Sequence, residues 1–175
     1  MGAKRIVLFC VGLVLVGLAV GLFFSGKNVF NSQEISQEKL APDLSFTDNT
    51  GANIKLADFK GEPLVINSWA SWCPFCVEEL PAFVSLQGEF KDKITVVAVN
   101  RAEPPAIARD YTDERGLTEK LIFLLDPSDS FYQAIGGFSM PETIFVNKGG
   151  KIVFHKRGPM DLEEMRRRVQ PLISN

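Results

Sequence analysis

The distribution of apolar residues divides the chain into three zones. Residues 6–24, IVLFCVGLVLVGLAVGLFF, carry no charged or polar side chain. Residues 25–40, SGKNVFNSQEISQEKL, are polar with scattered apolar positions and read as a tether. From Ala41-Pro42 onward, short apolar runs alternate with stretches of helical spacing, the pattern of a folded α/β domain over 41–175. Asp48-Asn49-Thr50-Gly51 is a turn signal between two short extended runs and predicts a β-hairpin. Leu64-Val65-Ile66-Asn67-Ser68-Trp69 reads as a buried strand. Residues 74–90 read as a helix through Val77, Leu80, Phe83, Val84 and Leu86, with a kink expected at Pro81. Ile94 to Val99 is a second buried strand, so strand, helix and strand make a βαβ unit with a parallel pair. A surface helix over 104–115, a strand over 121–125 and a short helix over 129–135 follow. A hairpin joins 143–146 to 151–155 through Lys148-Gly149-Gly150, and a charged helix spans 161–173.

The first apolar run, as a helix, measures about 28 Å, close to the hydrocarbon thickness of a bilayer. It ends Gly21-Leu22-Phe23-Phe24, which lacks the small residues of a cleavage site. We read it as an uncleaved single-pass anchor over 6–24. Lys4 and Arg5 precede it, so residues 1–5 are expected in the cytoplasm and the domain on the extracytoplasmic, periplasmic side. Cys10 within it reads as a small apolar filler. Gly17 and Gly21 form a G-x-x-x-G pair of the kind that lets two such helices pack closely, although glycine is common in such segments.

The 175 residues are 46% hydrophobic and 23% charged, with a formal net charge of -2. With no basic stretch interleaved with aromatics, nucleic acid is not an expected partner. Three cysteines are too few for a disulfide scaffold, and only Cys73 and Cys76 are close in sequence. They lie in Trp72-Cys73-Pro74-Phe75-Cys76, after an apolar strand and at the start of a helix. Cys73 there faces unpaired backbone N–H groups and the positive end of the helix, which stabilise a thiolate. Pro74 suits the first helical position, where its missing N–H costs nothing. Cys76 follows one turn later, close enough to bond to Cys73. The pair therefore reads as a redox-active disulfide in which Cys73 attacks and Cys76 resolves, with no other cofactor. Half of a zinc site is the competing reading. It needs a second pair of ligands, which one histidine and Cys10 do not supply.

Trp72 would shield one face of the dithiol, or is an ordinary core or surface tryptophan. Glu79, three residues after Cys76, shares its helical face. A partly buried carboxylate there would raise thiol pKa values and move protons, whereas a solvated one would do neither.

The stretch from Ala41-Pro42-Asp43 through Leu56-Ala57-Asp58-Phe59-Lys60-Gly61 to Trp69-Ala70-Ser71-Trp72-Cys73-Pro74-Phe75-Cys76-Val77-Glu78-Glu79-Leu80-Pro81 resembles the TlpA/ResA/DsbE family. The likeness continues at Phe138-Ser139-Met140-Pro141-Glu142-Thr143 and covers roughly residues 41–173. It implies a thioredoxin-like α/β fold: a central mixed sheet flanked by helices, with an N-terminal β-hairpin extension behind one transmembrane helix. It implies that Glu79 is the family's buried active-site glutamate. Pro141 matches the cis-proline that packs against the dithiol, and Met140 would turn its backbone toward an incoming peptide. Asn67 stands where thioredoxin has a buried aspartate, so Glu79 is expected to supply that proton function. Residues 101–120 match the family's insertion. The implied activity is thiol–disulfide exchange with extracytoplasmic protein thiols and disulfides, in the reducing direction, with electrons from a membrane dithiol donor. The family's best-known substrates are the haem-attachment cysteines of apocytochrome c.

Pro74-Phe75 is compatible with both reducing and oxidising relatives, so a disulfide-forming oxidase remains a rival. A copper chaperone using Cys73, Cys76 and His155 is a second, although copper-handling relatives space their cysteines by three residues. His155, the only histidine, is read as structural. A peroxidase would place threonine three residues before the reactive cysteine, where Ala70 stands.

Overall fold

The computed structural model describes residues 39–174. The anchor at 6–24, Cys10, Gly17, Gly21 and all but the last two residues of the tether lie outside the described residues. Among the described residues, no helix is long and apolar enough to cross a membrane.

Seven strands form one mixed sheet: β1 (Ser45–Asp48), β2 (Asn53–Lys55), β3 (Leu64–Trp69), β4 (Thr95–Arg101), β5 (Ile122–Asp126), β6 (Glu142–Val146) and β7 (Ile152–Arg157). Their order is β2-β1-β5-β4-β3-β6-β7. The three central strands are parallel, with Ile66 opposite Val97 and Val99 opposite Leu124. β6 and β7 run antiparallel on one side, and the β1–β2 hairpin closes the other against β5. β3 is buried at all six positions, which is why its sequence shows no polar alternation.

Among the described residues the helices are α1 (Pro74–Phe90), α2 (Pro105–Glu114), α3 (Ser130–Ala134) and α4 (Leu162–Ile173), with a 3₁₀ turn at Leu56–Phe59. Successive strand side chains point to opposite faces of the sheet, so two cores form. One gathers Val65, Trp69, Val96 and Phe145 under Leu80 and Phe83 of α1 and Met165 and Val169 of α4. The other gathers Ile66, Val97, Leu124 and Ile144 against Phe131 and Leu56. α1 continues as one element through Pro81. Pro81 lies on the exposed side, so the one amide missing from the ladder faces water. Trp69 packs its ring 5.5 Å from Tyr111 of α2 and 5.7 Å from Phe123. The parallel strands all end on the same side of the sheet, and α1 begins there, so the dithiol sits at their carboxyl ends.

Candidate dithiol site

Cys73 is the N-cap of α1, in extended conformation, and Pro74 occupies the first turn. Its sulfur accepts from the Cys76 amide at 3.2 Å, so the group predicted to stabilise a thiolate is in contact with it. Cys73 and Cys76 form a disulfide with Cα atoms 5.2 Å apart. Cys73 is 4% exposed and Cys76 is fully buried, so an attacking group reaches the first sulfur before the second. Trp72 is not a core tryptophan: it is 58% exposed, as is Phe75. The two exposed aromatics stand on either side of the recessed Cys73 along the chain.

Glu79 lies one turn inside the helix and is buried. One oxygen accepts from Asn67 Nδ2 of β3 at 2.8 Å and the other from the Met160 amide at 3.0 Å. Asn67 Nδ2 also donates to the Thr143 hydroxyl of β6 at 3.0 Å. Burial pushes the Glu79 pKa up from 4.5 to about 7, against the opposing pull of the Met160 amide, Asn67 and the Lys156 charge. A carboxyl poised there exchanges its proton near neutral pH.

The Met140–Pro141 bond is cis, Pro141 is buried and Met140 is half-buried. Met140 packs against the core cluster that contains both cysteines. Phe138, beside it, is 85% exposed. Cys73, Cys76, Glu79 and the Met140-Pro141 segment are thus brought to one end of the sheet. His155 is not brought to the dithiol: it pairs with Glu142 at 2.6 Å. Among the described residues, no three His, Cys, Asp or Glu side chains converge to hold a metal ion.

The structure adds residues that sequence reasoning passed over. Glu103 is buried and accepts from the Ser71 amide at 2.8 Å, the Ser71 hydroxyl at 2.5 Å and Asn100 Nδ2 at 2.6 Å. It therefore pins the turn that leads into Trp72 and Cys73. Ala102 reaches this arrangement with φ +52, the left-handed region that non-glycine residues rarely adopt. Tyr132 donates to the Ser139 carbonyl at 3.0 Å while the Arg101 guanidinium lies 3.5 Å over its ring. A side chain at Gly137 would meet that ring at 2.5 Å, so glycine lets the loop lie against it. The readable signals were faint: an acidic residue next to Pro141 just before an apolar strand, and another just after a buried strand.

Residues 36–170 match the Redoxin family. The chain is 26% identical over 170 residues to the thiol-disulfide oxidoreductase ResA of Geobacillus thermodenitrificans, covering 97% of each. It is 30% identical over 166 residues to the thioredoxin-like protein YneN of Bacillus subtilis, covering 90% of this chain and 94% of that one. Among solved structures, one assigned as the thiol:disulfide interchange protein DsbE of Chlorobium tepidum aligns with a TM-score of 0.72 at 24% identity. That alignment covers 78% of this chain and 97% of the other and shows a shared thioredoxin-like fold. With its Cys73–Cys76 disulfide at the start of α1, the chain belongs to the Redoxin family as a thiol–disulfide oxidoreductase of the ResA type.

Proposed function

We propose that the protein is a membrane-tethered reductant of protein disulfides outside the cytoplasm. The observation that carries the reducing direction is the surroundings of Cys76. It is fully buried, and the buried Glu79 carboxyl lies one turn further along the same helix. Burial and a neighbouring carboxylate both disfavour a thiolate. Strong CxxC oxidants stabilise the thiolate of their reduced form, and burial of both cysteines near the Glu79 carboxyl weighs against that stabilisation here.

In the reducing cycle the Cys73 thiolate attacks one sulfur of the substrate disulfide. The substrate S–S bond breaks, a mixed disulfide forms and the released substrate thiolate takes a proton. Cys76, giving its proton to Glu79, then attacks Cys73 Sγ. The second substrate thiol leaves, and two electrons have passed from the dithiol to the substrate. A membrane dithiol donor reverses the change by the same chemistry. Pro74 sets the helix start that holds Cys73. Trp72 covers one flank of the attacked sulfur, and the Met140-Pro141 segment offers backbone to the substrate polypeptide.

The tether rests on the apolar run at 6–24 and on a ResA match that extends over 97% of both chains, reaching into that run. The proposed substrates are extracytoplasmic protein disulfides, with the haem-attachment cysteines of apocytochrome c as the family's leading case.

A redox titration against glutathione tests the direction. A potential near the thioredoxin end, about −270 mV, is expected, and one near about −120 mV would make the protein an oxidase. Membrane fractionation, with a membrane-impermeant thiol reagent reaching reduced Cys73 in intact cells, tests the placement. Recovery in the soluble cytoplasmic fraction would refute it. A deletion strain with normal holocytochrome c would remove the cytochrome assignment.

A further inference from the structure

Glu142 directly follows the cis-proline, and its side chain is completely buried at the start of β6. One of its oxygens accepts the Phe138 amide at 2.5 Å and the Ser139 amide at 2.7 Å. The other shares the 2.6 Å bond with His155 Nε2 of β7, whose side chain is 8% exposed. Tyr132 and Gly158 complete the arrangement: the Tyr132 hydroxyl donates to the Ser139 carbonyl and the Gly158 amide to the Pro141 carbonyl at 2.9 Å. The backbone on both sides of Met140 is therefore tied down.

This carboxylate does not belong to the dithiol chemistry. Strand alternation sends Thr143 toward Asn67 and Glu79, and places Glu142 on the opposite face of the sheet with Ile144. The next inward positions on its own face, Ile144 and Val146, are apolar. A buried carboxyl is costly unless every lone pair finds a partner, so its presence here needs a reason beyond filling space. Its partners supply one: they are the loop amides and the histidine. Arg157 Nε stands 3.7 Å from the same carboxylate, and the Lys39 charge also acts on His155.

We propose that Glu142 and His155 are a positioning pair that fixes residues 138–141 in the shape that offers the Met140 backbone to a polypeptide. They thereby set affinity for peptide disulfides without acting on sulfur. The inference rests on the docking role given to Met140-Pro141 above.

The test uses the full-length protein in detergent, with insulin as the peptide disulfide and 2-hydroxyethyl disulfide as a substrate too small to pair with backbone. Glu142→Ala should raise KM for insulin about tenfold, because a loosened docking segment weakens binding of the polypeptide and not the chemistry at sulfur. The kcat for insulin should change far less, so selectivity for insulin over the small disulfide falls by about the same factor. Glu142→Gln keeps one acceptor oxygen for the loop amides and should recover part of the loss. His155→Gln should fall between wild type and Glu142→Ala, and decides the matter if Glu142→Ala does not fold. Equal losses on both disulfides, or an unchanged insulin KM in the folded variants, would overturn the inference. A wild-type protein that turns over the small disulfide but never insulin would instead overturn the docking reading, and the inference with it.

Discussion

Asn67 donates from Nδ2 to Oε1 of Glu79 across 2.8 Å. The bond joins the central strand to the helix that carries both cysteines, and it leaves the carboxyl with a neutral neighbour where a second acid would have competed for the proton. Asn67 also reaches Thr143, one strand over and two residues from Pro141. A single amide thus links the floor of the dithiol helix to the strand that follows the cis-proline.

Glu79 makes stability depend on pH. Its folded pKa, raised by burial from 4.5 to about 7, means that the folded protein keeps a proton the unfolded chain releases between those values. The contribution is complete below about pH 4.5 and is lost as pH rises through about 7, amounting to about 3 kcal/mol. Urea denaturation of the oxidised protein at pH 5 and pH 8 should show this fall in wild type and a flatter response in Glu79→Gln. An identical pH slope in both would refute it.

Asn67→Asp should be a charge variant more than a packing variant. Two carboxyls would then share the pocket, and like charges at that distance cannot both ionise. Folding stability should drop by about 2–4 kcal/mol at pH 8 and recover at pH 5, where the pair holds its protons. A loss of the same size at both pH values would point to packing instead.

The two sulfurs should separate by role. Cys73→Ser should abolish insulin reduction. Cys76→Ala should still attack but stall, so mixed disulfides accumulate on non-reducing gels. Reduction at the normal rate by the Cys73→Ser protein would sink the assignment of the nucleophile.

Glu103→Ala should destabilise the turn ahead of the dithiol. Asn100 is 1% exposed and would lose its acceptor, as would the Ser71 amide. Stranded buried donors cost about 1–3 kcal/mol each, and thermal or urea melts should register a loss of that order. Glu103→Gln, which keeps one acceptor oxygen, should lose less. Melts of Glu103→Ala that overlay wild type would show that water replaces the carboxylate.

What could be read from the sequence was what is local. Val65-Ile66 and Val96-Val97 announce buried parallel strands, because a strand covered on both faces has no polar alternation to confuse the reading. Cys73-Pro74-Phe75-Cys76 carries its geometry within one helical turn. The strands and helices anticipated from 41 onward are present, with ends shifted by a residue or two, as at β4, which runs on to Arg101. Glu103, Tyr132 and the Glu142–His155 pair escaped because their meaning lies in register. Glu142 meets His155 only because β6 and β7 pair antiparallel with an irregularity near Phe145 and Val146, and no spacing rule along the chain foretells that. Even Glu79, whose helical face was clear, took its burial from Asn67 and Met160, the latter 81 residues away.

The outer rims of the sheet carry a consequence for survival among unfolded chains. An open strand edge is a template on which any extended polypeptide can polymerise. Here one rim is β2, only three residues long. At the other, the incoming chain lies along the start of β7, with the Ile152 amide on the Lys39 carbonyl and the Ala41 amide on the Gly150 carbonyl, both at 2.9 Å. The far end of that strand finishes in Lys156 and Arg157, long charged side chains that a stacking strand would have to desolvate. A protein that exchanges disulfides with other polypeptides is in this way kept from templating their aggregation at its flanks.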